Sequence, residues 1–156
     1  MKKTAFLIFT SFLFVFVFAF SSQAQTDAPP EVVKFLTRQA KAVDAEEYPE
    51  ARKIVFADMN GDRKNDLVVL YTLEGFGGGN SYGQSIAVFL RKGNRYVLSV
   101  DKTVGGKLSR NVELKRISGR TIYLDTMRWS KDDGGCCPSI KGKTRFVFSN
   151  GRLREV

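Results

Sequence analysis

Three short turn signals, each between two stretches of alternating apolar and polar residues, constrain this chain more than any other feature. They are Gly93-Asn94, Ser118-Gly119-Arg120 and Asn150-Gly151. Such sequences favour tight hairpin turns, because glycine and asparagine accept the left-handed backbone that these turns need. Sequential hairpins form an antiparallel meander, so the chain from about Ala51 onward is predicted to be one β-sheet.

The strands themselves are predicted from period-two stretches rich in β-branched and aromatic residues. They cover residues 53–57, 67–73, 85–91, 96–100, 112–117, 121–127, 144–148 and 153–156. The segment 67–73 is apolar on both faces, which is typical of a central strand.

One amphipathic helix is predicted before the sheet, over residues 30–45. Its apolar positions recur at helical spacing and are Val32, Val33, Phe35, Leu36, Ala40 and Val43. A helix of this kind can cover one face of a sheet. The predicted fold class is therefore α+β, with an N-terminal helix packed on a curved antiparallel β-meander of seven or eight strands.

The first 24 residues have the order of a secretory signal peptide. Lys2 and Lys3 precede an apolar run over residues 4–20, and Ser22-Gln23-Ala24 supplies small residues for cleavage. The alternative is an uncleaved anchor helix, because the run is near the lower length limit for a membrane span. We predict a single globular domain over residues 25–156, exported to the periplasm or outside the cell, with no stable membrane insertion after cleavage.

The charge balance and the missing histidine limit the function. The chain has no histidine, which excludes a Ser-His-Asp or Cys-His relay and any imidazole ligand. Without the signal peptide, 23 Lys+Arg face 16 Asp+Glu, a net charge of +7. This charge permits an anionic envelope or extracellular partner, and a merely solvated positive surface is the alternative. Export argues against nucleic acid as the natural partner.

The segment between the first two strands is rich in oxygen-bearing side chains. It reads Asp58-Met59-Asn60-Gly61-Asp62-Arg63-Lys64-Asn65-Asp66, with such side chains at relative positions 1, 3, 5 and 9. Calcium takes six to eight oxygen ligands, which a tight loop with this alternation can bring together. The alternative is a polar hairpin turn in which Asp58 and Asn60 cap backbone amides.

This segment resembles the calcium loops of FG-GAP and VCBS repeats, which also join two antiparallel strands. The resemblance implies a structural calcium ion. It also implies the ligands, which would be Asp58, Asn60, Asp62, Lys64 through its main chain, and Asp66.

The only two cysteines are adjacent, Cys136 and Cys137. Neighbouring Cα atoms are about 3.8 Å apart, which is short for a disulfide, but export favours oxidation. A vicinal disulfide, two buried thiols and a redox or metal site are the three alternatives. The string Cys136-Cys137-Pro138-Ser139 resembles exported bacterial domains of the LppP/LprE lipoprotein type, which implies location and fold more than chemistry.

A binding surface is predicted from three further residues. Tyr82 follows a glycine-rich loop, and Arg128 and Trp129 end a strand; Trp and Arg are enriched in binding hot spots. We predict a calcium-stabilised binding or interaction module without enzymatic activity. The alternative is a thiol-redox or soft-metal-binding protein that uses Cys136 and Cys137.

Overall fold

The computed structural model describes residues 28–156, so the predicted signal peptide lies outside the described residues. Helix α1 covers Pro30–Ala42, and two 3₁₀ turns cover Pro49–Ala51 and Phe76–Gly78. The strands are β1 (Glu46–Glu47), β2 (Lys53–Ala57), β3 (Asp66–Glu74), β4 (Tyr82–Lys92), β5 (Arg95–Gly106), β6 (Arg110–Ser118), β7 (Thr121–Arg128), β8 (Ile140–Ser149) and β9 (Arg152–Glu155). Among the described residues, no helix is long and apolar enough to cross a membrane.

Helix α1 forms where the apolar spacing predicts it and begins at Pro30 as expected. It ends at Ala42 and not at residue 45, because Asp44 adopts a left-handed backbone with φ 51°. The N–H of Ala45 then donates to the carbonyl of Ala40 (3.0 Å), the hydrogen bond of a Schellman helix end. The buried face of the helix consists of Val32, Phe35, Leu36 and Ala40.

The strands form one antiparallel sheet in the order β1-β3-β4-β5-β6-β7-β8-β9, with β2 also paired to β3. Every strand from β3 onward pairs with the next strand in the chain, so the predicted meander and the α+β class are confirmed. The predicted count of seven or eight strands is wrong, because residues 28–156 alone form nine. The additional strand is β1, whose two residues pair with Glu74 and Leu73. Two residues are too few to show an alternating pattern.

The three predicted hairpin turns connect the expected strands, β4 to β5, β6 to β7 and β8 to β9. In the last turn, Asn150 and Gly151 both have positive φ, 49° and 69°. Two successive left-handed residues define a type I′ turn, whose twist matches that of the strands it joins.

Strand β3 is buried on both faces from Asp66 to Leu73, as its two apolar faces predict. It pairs on both sides, but in the sheet order it is second from the edge and not in the middle. Its odd-numbered side chains pack in one cluster with helix α1. Val68 and Leu70 pack in a second cluster. Because that second cluster contains side chains from every strand between β3 and β9, the later half of the meander folds back over the earlier half.

Strands β5 and β6, which connect the earlier half of the meander to the later half, pair at a single position, Gly106 with Arg110. The Arg110 guanidinium donates from Nε to the Val104 carbonyl (2.6 Å) and from Nη1 and Nη2 to the two Glu155 carboxylate oxygens (2.5 and 3.0 Å). These hydrogen bonds are the main reason that the pKa of Glu155 is lowered to about 2. The bidentate pair therefore ties β9 to the start of β6. The hydrogen bond to the Val104 carbonyl ties the same arginine to β5, in the earlier half of the meander.

Candidate functional site

The predicted cation loop connects β2 to β3, and a series of side-chain-to-backbone hydrogen bonds shapes it. Asp58 accepts the N–H of Gly61 at Oδ1 (2.6 Å) and that of Arg63 at Oδ2 (2.9 Å). Asn60 Oδ1 accepts the N–H of Asp62 (2.8 Å), and Asp62 Oδ1 in turn accepts the N–H of Lys64 (2.9 Å). The alternating polar residues thus form successive Asx turns.

The Asp58 carboxylate is ionised at neutral pH. Burial by itself raises its pKa, but hydrogen bonds from the backbone N–H groups of Arg63, Gly61 and two further loop residues lower it by more. The net pKa lies below the usual value for aspartate. A cation in this loop would bind the Asp58 carboxylate only in its charged form.

Asp66 lies at the base of the loop and is fully buried. Its Oδ2 accepts the N–H of Met59 (2.9 Å), and its Oδ1 accepts the N–H of Arg91 (2.8 Å). The carboxylate therefore links the loop to both β3 and β4. Asp62 and Lys64, by contrast, are exposed, and Asp58 and Asn60 are half-buried.

Two residues that position this loop are absent from the sequence prediction. Met59 is completely buried in the cluster between the two halves of the sheet, where it holds the loop down. Arg120, in the β6–β7 turn, donates from Nη2 to the carbonyl of Asn60 (2.9 Å). Gly61 has φ +87°, and a Cβ there would lie 2.8 Å from Arg120 Nη2. The signal that could have identified Met59 is an apolar residue within a polar segment, whereas no sequence pattern identifies Arg120.

Within residues 28–156, no three His, Cys, Asp or Glu side chains form a group that could hold a metal ion. The predicted calcium loop also draws on an amide oxygen and a main-chain carbonyl, which belong to the usual ligands of calcium.

The two cysteines lie in the loop between β7 and β8, and both are exposed. Their sulfur atoms lie at the distance of a disulfide bond, and their Cα atoms are 3.8 Å apart. Because both side chains are exposed, the alternative of two buried thiols is wrong.

Asp133 closes this cysteine loop. Its Oδ2 accepts the N–H of Ser130 (2.7 Å) at one end, and both the N–H (2.9 Å) and the hydroxyl (3.0 Å) of Ser139 at the other. These hydrogen bonds lower the pKa of Asp133, and the bond from the Ser130 N–H has the largest effect. Burial acts in the opposite direction but is outweighed. The cysteines are thus carried on a loop whose two ends are joined.

Two of the three predicted binding residues, Tyr82, Arg128 and Trp129, line the same depression. Tyr82 and Arg128 both line a depression of about 610 Å³ at the β5–β6 junction. The Tyr82 hydroxyl donates to the Asn111 side-chain oxygen, and burial raises the pKa of Tyr82. Trp129 is half-buried and does not line this depression; its Nε1–H donates to the Gly134 carbonyl (3.2 Å) within the cysteine loop.

Comparison of the chain with models of protein families, with curated proteins and with solved structures found no match.

Proposed function

We propose that this protein is an exported, non-catalytic binding module of the cell envelope or the extracellular space, and that calcium stabilises it through the loop at residues 58–66. The observation that carries the proposal is the arrangement of Asp58, Asn60 and Asp62, whose side-chain oxygens follow one another around a single preformed turn. The resemblance to FG-GAP and VCBS loops supports the same ligand set.

The turn has capacity left for a cation. Each carboxylate or amide oxygen has two lone pairs, and one backbone hydrogen bond uses only one of them. Gly61 and Arg63 already adopt left-handed conformations, with φ 87° and 65°, so binding has little backbone to reorder. Lys64 opposes binding, because its ammonium lies 3.8 Å from Asp62 Oδ2 and must move aside.

Calcium in this loop would have a structural role. The Asn60 carbonyl is held by Arg120 from the other half of the sheet, so an ion that fixes the loop also steadies that contact. Extracellular calcium sites bind at about 10⁻⁴ to 10⁻³ M. At tenfold excess over the dissociation constant, the ion stabilises the fold by about 1.4 kcal/mol.

Thermal unfolding in millimolar calcium and in chelator tests this proposal. We expect calcium to raise the unfolding midpoint by about 4 to 6 °C. Asp62→Asn keeps an oxygen for the N–H of Lys64 but removes one negative ligand, so it should abolish most of that shift. Asp132→Asn removes the same charge from an exposed position in the cysteine loop and should leave the shift intact. Equal midpoints with and without calcium in the unmodified protein would rule out the calcium loop.

Thiol-disulfide exchange is the second candidate function, and the exposure of both cysteines favours it. Exchange requires a sulfur that an attacking thiolate can reach. Intact mass after alkylation, with and without mild reductant, gives the oxidation state of Cys136 and Cys137. If the pair resists mild reductant and Cys136→Ser leaves binding and stability unchanged, this candidate is excluded.

A further inference from the structure

The outer side of strands β6 to β9 is an exposed and strongly basic surface. In β7, Ile122 and Leu124 point into the core, so the alternate residues, such as Tyr123, point outward. The same alternation, interrupted by a β-bulge between Leu114 and Arg116, exposes seven cationic side chains, which we call the basic face. They are Lys115, Arg116, Lys141, Lys143, Arg145, Arg152 and Arg154.

Few acidic groups compensate this charge. Glu113 and Asp125 are the acidic side chains that share the outer side of β6 and β7, and Asp125 Oδ2 lies 3.3 Å from Lys115 Nζ. Within the part of the chain that the structure describes, the other six cations have no carboxylate oxygen within 4.0 Å. Unpaired cations at this density favour an anionic partner.

The cations form a two-dimensional array rather than a single track. Lys141, Lys143 and Arg145 alternate along β8 and so span about 14 Å, while four adjacent strands extend about 14 Å in the other direction. A linear polyanion follows a groove or a line of charges, whereas a field of charges complements an extended anionic surface.

The one aromatic ring within this array is not open for stacking. The Arg116 guanidinium lies over the Tyr123 ring, with Cζ 3.6 Å from the centroid, and Arg145 lies opposite Tyr123 on β8. Stacking on nucleic-acid bases requires a free aromatic face. A covered ring between two arginines instead favours phosphate groups, which guanidinium binds in a bidentate manner.

We propose that the basic face docks on a bilayer surface by binding the phosphate groups of anionic phospholipids. The inference rests on the binding role proposed above and names its partner class. Each Lys or Arg near an anionic bilayer contributes about 1 kcal/mol, roughly a fivefold change in affinity. Binding is peripheral, and it weakens as ionic strength screens the charges.

Co-sedimentation with vesicles tests the inference on the exported protein, with its N-terminus determined by intact mass. Vesicles of phosphatidylcholine with about 30% phosphatidylglycerol are compared with pure phosphatidylcholine, at low salt and at about 0.5 M salt. The triple variant Lys143→Glu/Arg145→Glu/Arg154→Glu is expected to bind the anionic vesicles at least about 100-fold more weakly.

The matched control reverses three exposed cations on helix α1, in the variant K34E/R38E/K41E, with the same change in net charge. This control variant should bind the anionic vesicles with an affinity within several-fold of that of the unmodified protein. Should the first triple variant unfold, the neutral pair Lys143→Gln/Arg145→Gln replaces it, with an expected loss of about 25-fold.

Three results would overturn the proposal. The first is an equal loss of vesicle affinity in the two triple variants, and the second is equal binding of the unmodified protein to neutral and anionic vesicles. The third is binding to soluble polyphosphate without binding to anionic vesicles. Vesicle binding without a calcium-dependent midpoint would refute the calcium loop alone. A calcium-dependent midpoint without vesicle binding would refute the basic face alone.

Discussion

Replacing Asp66 with asparagine tests whether a buried carboxylate holds the base of the loop. Asp66 is fully buried, and its oxygens accept the N–H groups of Met59 and Arg91. Asparagine has nearly the same shape but only one oxygen. Whichever way the amide is turned, its NH₂ group faces one of the two backbone donors, and that donor loses its acceptor.

The cost of Asp66→Asn follows from these two contacts. One buried N–H without a partner costs about 1–3 kcal/mol, and the remaining hydrogen bond loses its charge assistance, about 1 kcal/mol more. We therefore expect Asp66→Asn to lower the free energy of unfolding by about 2–4 kcal/mol. With an m-value of about 2 kcal/mol/M, the urea midpoint falls by about 1–2 M.

Urea unfolding should be performed in chelator, so that any loss of calcium binding does not contribute. Asp62→Asn is the control, because Asp62 is exposed and its substitution should change the free energy of unfolding by less than about 0.5 kcal/mol. If Asp66→Asn proved as mild as Asp62→Asn in chelator, the structural role of Asp66 would be wrong.

Three further substitutions have expected outcomes. Glu155→Gln should cost roughly 1 kcal/mol at pH 7, since 43% of the Glu155 side chain is exposed. Because the folded pKa of Glu155 is lowered to about 2, the difference from the unmodified protein should shrink below about pH 5 and vanish near about pH 1, which acid titration followed by circular dichroism measures. Phe35→Ala should cost about 3–5 kcal/mol in urea unfolding, because Phe35 packs edge-on against Tyr71 and Phe89, with centroids 5.9 and 5.4 Å away. Gly105→Ala should lower the thermal stability by about 1–3 kcal/mol, because its Cβ would lie 2.6 Å from the Arg110 carbonyl oxygen; an unchanged midpoint would show that the β5–β6 junction can yield.

Local patterns were sufficient to predict most of the fold. The strand predicted over residues 53–57 coincides with β2, and the two apolar faces of residues 67–73 correctly predict that β3 is buried on both sides. Strand β5 extends to Gly106 although only residues 96–100 were predicted, because its later part includes exposed polar residues such as Asp101 and Lys102. Over the exposed residues 101–103, pairing with β4 and not burial defines the strand.

Contacts between distant segments were beyond sequence reasoning. Arg120 and Asn60 are 60 residues apart, and Asp66 reaches Arg91 only because β3 and β4 pair. The alternation of Lys141, Lys143 and Arg145 was visible in the sequence, yet its meaning depends on which side of β8 is buried. That side is fixed by the folding of one half of the meander over the other.

Calorimetric titration of calcium into the exported protein and into its Asp62→Asn variant measures whether the loop at residues 58–66 takes an ion. We expect one calcium per chain for the unmodified protein, with a dissociation constant of about 10⁻⁴ to 10⁻³ M, and a clearly weaker site in the variant. No binding heat at millimolar calcium, or identical isotherms for the two proteins, would contradict a calcium-stabilised module.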